Sequence, residues 1–110
     1  MRAHEFEKPK TRFADGYLAL SDHLEDRCRE RNIPIARVLE TLKKVERQRS
    51  MDLIRMPFIT FVIKTHGLDL AMSKQRDKFG DTAYVVATAR SELRGGPDED
   101  VIYLEQEEPQ

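Results

Sequence analysis

His23, Arg27 and Arg31 stand four residues apart in the stretch SDHLEDRCRERNIP. On a helix, at ~100° per residue, they fall at roughly 0°, 40° and 80° and form one ridge. Leu24 and Cys28 fall at roughly 100° and 140° on the same wheel, so the ridge borders the apolar side. Charged groups at such a border are partly desolvated, which raises their value for holding an anion. An imidazole is the side chain best suited to proton transfer near neutral pH, and a guanidinium grips a phosphate through two parallel N–H bonds. The residue types therefore suit phosphate chemistry. The same spacing also arises on a solvated helix whose Arg27 and Arg31 pair with Glu25, Glu30 or a sheet carboxylate. Spacing alone does not separate the two.

The ridge needs a helix under it. Asp22 is a suitable N-cap and Glu25 can complete a capping box, while Asn32 and Pro34 mark the end of this helix and the start of the next. Ile35, Val38, Leu39, Leu42 and Val45 follow the i, i+3, i+4, i+7, i+10 pattern of a buried helical face, and RQRSMD closes that second helix. PFITFVIK is rich in β-branched and aromatic residues and reads as a strand, with Phe58 and Phe61 both assigned to the core. LDLAMSK alternates as a second strand, and TAYVVATAR has few polar positions and reads as a central third. VIYL is a candidate edge strand, and YLAL, before the first helix, is a short extended piece. Two helices followed by an antiparallel meander make a two-layer α+β domain, with the helices covering one face of the sheet.

A chain of 110 residues holds one domain with a modest core. The reading divides it into an N-terminal arm (1–20), the α+β domain (21–97) and an acidic tail (98–110). The N-terminus lacks the apolar core of a secretory signal, no apolar run approaches the ~20 residues of a membrane span, and Cys28 is the only cysteine. These features point to the cytoplasm. Cys28 itself reads as a small buried hydrophobe. No cluster has metal-ligand spacing, and RGGP lacks the lysine of a phosphate-binding P-loop. His4 and His66, on the arm and in a turn, do not suit acid–base work. The net charge of −1 conceals an asymmetry: six acidic and no basic residues follow Pro97, leaving nineteen basic against fourteen acidic residues before it. Eight basic residues lie between Arg27 and Arg49, a density equally suited to tracking a nucleic-acid backbone and to a salt-bridged helix surface.

SDHLEDRCRERNIPIARVLETLKK resembles the opening of a group of small toxin-like domains. These begin with a His-x-x-x-Arg-x-x-x-Arg helix and continue into a second helix with a VLE-x-L core, and their last strand is an apolar run containing Thr. Here that run is YVVATA, with Thr88 at the matching place. The group includes the RelE and BrnT toxins of the barnase–EndoU–colicin–RelE ribonuclease superfamily. The resemblance covers roughly Leu20 to Arg90, and Asn32 stands where the group often has Gly. MRAHEF also resembles the start of small proteins encoded by bacterial viruses.

The resemblance implies a RelE-like α+β fold, with two N-terminal helices packed on a three- to four-stranded antiparallel sheet. It also implies metal-independent cleavage of RNA by attack of the 2′-OH on the adjacent phosphate, without a cofactor. Such a site needs a proton acceptor, cationic donors for the phosphate and a proton for the leaving oxygen. On that basis His23 is the acid–base candidate and Arg27 holds the phosphate. Arg31 adds charge or braces the helix, and Thr88 bonds a phosphate oxygen. Lys74 and Arg76 are further candidates for phosphate contacts. The partner would be RNA or the ribosome, and the acidic tail would shield the basic site. The rival expectation is a non-catalytic, phage-type interaction protein that binds a host protein with the same fold; a homodimer is a third.

Overall fold

The computed structural model describes residues 11–65, 67–91 and 100–104. His4, His66, the RGGP stretch and the acidic residues 98–99 and 105–110 lie outside them. The chain order is β1 (Thr11–Phe13), β2 (Gly16–Leu20), α1 (Leu24–Glu30), α2 (Ile35–Arg55), β3 (Thr60–Lys64), β4 (Asp69–Arg76), β5 (Thr82–Arg90) and β6 (Asp100–Tyr103). Among the described residues these strands form one sheet in the order β1-β2-β5-β4-β3-β6.

This overturns the expected three- to four-stranded antiparallel sheet behind two N-terminal helices. Two strands precede the helices, and the sheet is mixed, because β2 runs parallel to β5 and β3 parallel to β6. The reason is topological. After β2 the chain makes a long helical crossover before its partner β5 arrives, and only such a crossover lets two strands pair in parallel. The assigned arm thus contributes β1 and β2, and the assigned tail contributes β6. Gly16 is what lets β2 approach so closely: a Cβ there would lie 2.2 Å from the Thr82 carbonyl oxygen.

Both helices pack on one face. Leu24 and Cys28 of α1, Val38, Leu42, Val45 and Leu53 of α2, and Phe61, Ile63, Leu70, Met72, Tyr84, Val86 and Ala89 of the sheet form one buried cluster. A register shift beside Ala71 pairs Met72 with Val86 and Ala71 with Thr88, leaving Ala87 unpaired. This bulge lets both Val86 and Ala89 face the core and leaves Ala87 exposed, a device that re-aims the end of a strand. Ser21 fastens it, its Oγ donating to the Ala87 carbonyl at 2.9 Å.

Helix ends follow local chemistry only in part. His23, not Asp22, occupies the α1 N-cap, and no side chain caps it. At the other end Asn32 takes a left-handed φ of 57°, with Asn32 N–H donating to Arg29 O at 3.3 Å and Ile33 N–H to Cys28 O at 2.8 Å. That pair of bonds is a Schellman stop, and Asn tolerates the conformation. The long helix α2 bends at Arg49 (φ −132°, ψ 22°) yet continues to Arg55, past the expected end at RQRSMD.

Candidate functional site

Of the expected site residues, Arg31 and Thr88 meet. Arg31 Nη1 donates to Thr88 Oγ1 and to the Ala89 carbonyl, both at 2.9 Å. The sheet explains the contact. Pairing of β2 with β5 ends at Leu20 and Val86, so beyond that point this edge of β5 has no strand beside it among the described residues. Open strand edges carry unpaired backbone groups, and the guanidinium of Arg31, the α1 C-cap residue, fills that place. Arg31 thereby braces α1 against the sheet while keeping its Nε and Nη2 donors for another acceptor.

His23 and Arg27 do not join this contact. His23 is exposed and stands eight residues before Arg31, about 12 Å along the helix axis. Arg27 is exposed and lies 3.6 Å from the Glu30 carboxylate, a solvated i, i+3 pair of small energetic value. Cys28 is buried beneath them; burial pushes its thiol pKa up, against a smaller opposing pull from Arg31. It packs rather than reacts.

A different set of residues converges instead. A cleft of about 280 Å³ is lined by Arg31, Asn32, Ile33, Arg37, Gly67, Arg90 and Ser91. Three arginines line it, from the end of α1, the first turn of α2 and the end of β5, and among the described residues no acidic side chain lines it. The carboxylate opposite Arg90 in register, Asp69, is buried and engaged, with Oδ1 accepting from Thr65 N–H at 3.2 Å and Oδ2 from Lys64 Nζ at 3.3 Å. Gly67 shapes the wall. Its φ is +86°, and a Cβ there would lie 3.2 Å from Arg37 Nη2. Such a cleft attracts a multiply charged, oxygen-rich anion, because guanidinium forks bind phosphate bidentately. Arg37 and Arg90 are functional candidates that the spacing argument missed. One signal was available. The first turn of α2 carries no acidic residue and its N-cap is Pro34, without a side-chain cap. A cation at the positive end of a helix dipole is unfavourable unless an anion joins it.

Lys74 and Arg76 have other duties. Lys74 is buried, and its Nζ donates to the carbonyls of Leu53, Ile54 and Met56 at 2.9, 3.0 and 2.7 Å. An ammonium has three donors, and all three terminate α2, where the helix dipole favours a cation. Lys74 therefore cannot reach RNA. Arg76 is exposed, with its guanidinium carbon 4.9 Å from the Phe58 ring centroid. Phe58 itself is 46% exposed, against the core assignment, whereas Phe61 is buried. Among the described residues no cluster suits a metal ion, and no helix is long and apolar enough to cross a membrane. No family model matches the chain, and no curated protein or solved structure matches it either.

Proposed function

We propose that this protein binds RNA through its phosphates, with the arginine cleft as the principal phosphate subsite. The observation that carries the reading is the convergence of Arg31, Arg37 and Arg90 on one cleft with no acidic side chain among the described residues that line it. Fluorescence anisotropy with labelled single-stranded RNA tests it: Arg37→Gln with Arg90→Gln should weaken binding at least tenfold. Unchanged affinity would remove the cleft from RNA recognition. Metal-independent cleavage by 2′-OH attack is the stronger form of the same proposal. It assigns proton transfer to His23, which must then serve a phosphate other than the one in the cleft. End-labelled RNA in EDTA, yielding cyclic phosphate ends with the wild type and none with His23→Ala, would establish it. No cleavage would leave a binding protein. The non-catalytic, protein-binding alternative is favoured by one observation, the exposure of Ile54 in the last turn of α2 and of Phe58 just beyond that helix.

A further inference from the structure

The end of the molecule opposite the cleft carries exposed aromatic rings among cations. Phe58 leads into β3, with the Arg76 guanidinium carbon 4.9 Å and the Lys74 ammonium 5.4 Å from its centroid. Lys74 is held by three helix carbonyls, so one side of the ring's surroundings is fixed. Arg76 is exposed, its guanidinium lying over the ring with Nη1 donating to the Gly80 carbonyl at 3.5 Å. Phe79, 62% exposed, tops the β4–β5 hairpin. That hairpin is rigid: Asp77 Oδ1 accepts from the N–H groups of Phe79 and Asp81 at 2.9 and 2.8 Å, and Tyr17 Oη donates to Asp77 Oδ2 at 2.8 Å. Lys78 Nζ lies 5.3 Å from the Phe79 centroid.

These features match what an unpaired base requires. Aromatic rings and guanidinium planes are the two surfaces on which bases of single strands stack, and stacking tolerates any sequence. A duplex cannot use them, because its bases already stack on one another. The spacing to the cleft is set by regular structure. The eight residues of β4, from Asp69 beside the cleft to Arg76 beside Phe58, span about 23 Å. Arg37 in the cleft and Arg55 at the far end of α2 are about 27 Å apart along the helix. Lys44 is exposed between them, seven residues after Arg37 and so on the same side of α2.

We propose that Phe58 and Arg76, with Phe79 beyond them, form a base-stacking platform for single-stranded RNA whose phosphate sits in the arginine cleft, so that several nucleotides run the length of α2. This rests on the RNA-binding reading above, and adds to it a strand state, a direction and a minimum length.

The protein has no tryptophan, so Phe58→Trp places a lone indole reporter on the platform of the full-length chain. Titration with a 12-nucleotide single strand should quench its emission saturably. A dinucleotide and a 12-base-pair duplex should leave it unchanged. In anisotropy, Phe58→Leu should weaken binding of the 12-mer on the order of tenfold, with an unchanged salt slope and no effect on the dinucleotide. Arg76→Gln should act in the same direction. Normal 12-mer affinity in Phe58→Leu, or equal quenching by duplex, overturns the platform and returns this surface to protein docking, while cleft-dependent binding stands. Failure of the wild type to bind any RNA rejects both readings together.

Discussion

Arg31 Nη1 and Thr88 Oγ1 are 2.9 Å apart, and the same nitrogen donates to the Ala89 carbonyl at 2.9 Å. One arginine thus closes the strand edge that β2 leaves open and also lines the cleft. A brace and a ligand group would respond differently to substitution, and Arg31 should respond as both.

Arg31→Gln should lower stability by about 1.5 kcal/mol, the usual worth of hydrogen bonds to a charged group, and also weaken RNA binding. Arg37→Gln and Arg90→Gln should weaken binding with stability changes inside about 0.5 kcal/mol, as for exposed positions. Urea midpoints with anisotropy on the same preparations separate the two effects. A fully stable Arg31→Gln protein would show that the edge contact does not brace the fold.

Salt dependence counts the phosphates. On a single strand each neutralised phosphate contributes a slope of about −0.7 in log K against log salt. The Arg37→Gln, Arg90→Gln double variant should therefore make the slope shallower by about 0.7, if the cleft takes one phosphate. A changed affinity with an unchanged slope would mean that the cleft binds something other than a phosphate.

Lys74→Met keeps the aliphatic stem and removes the ammonium, orphaning three carbonyls at the end of α2. Removing the charged partner from a buried site typically costs about 3 kcal/mol, and thermal unfolding should report a loss of that size. A loss below about 1 kcal/mol would mean that water replaces the cap without penalty.

Alkaline pH gives an independent check on the hairpin brace. Burial first, then the hydrogen bond to Asp77, pushes the Tyr17 pKa from 10 up to about 12. The protonated phenol is thus the form the fold favours. Its contribution is complete below pH 10 and is lost as pH rises through about 12. Absorbance titration at 295 nm should show a tyrosine ionising near 12, absent in Tyr17→Phe, whose stability should fall less between pH 10 and 12 than that of the wild type. A Tyr17 that ionises near 10 would contradict the bond to Asp77.

How much of this was legible follows from the range of each interaction. The buried side of α2 is largely written in its own periodicity: Val38, Leu42 and Val45 are core as spaced, whereas Leu39, assigned to the same face, is exposed. The strands β4 and β5 announce themselves through alternation and β-branching. The parallel pairing of β2 with β5 does not, since Tyr17 and its register partner Ala83 are far apart in the chain and GYLAL is short and bears no turn signal for that partner. The extension of α2 past Arg49 depends on Lys74, a residue from another element. The cleft joins Arg31, Arg37 and Arg90 only after folding, so the regular spacing of His23, Arg27 and Arg31 drew attention to the wrong neighbours of Arg31.

The acidic end of the chain supplies the last prediction. Ile102 of β6 is part of the buried core, so removing everything after Pro97 would strip a strand from β3 and test folding instead of electrostatics. Beyond β6, Leu104 N–H donates to Lys64 O at 2.9 Å, three residues before Gly67 of the cleft wall. Residues 105–110, which carry three glutamates and no base, follow Leu104 directly in the sequence. Negative charge within about one Debye length of the cleft would oppose an incoming phosphate. Replacing Glu105, Glu107 and Glu108 with Gln should raise RNA affinity roughly twofold to threefold at 50 mM salt, and much less at 500 mM, where screening removes the repulsion. An equal gain at both salt concentrations would point to a contact rather than a field, and no gain at either would free the cleft from any influence of the acidic end.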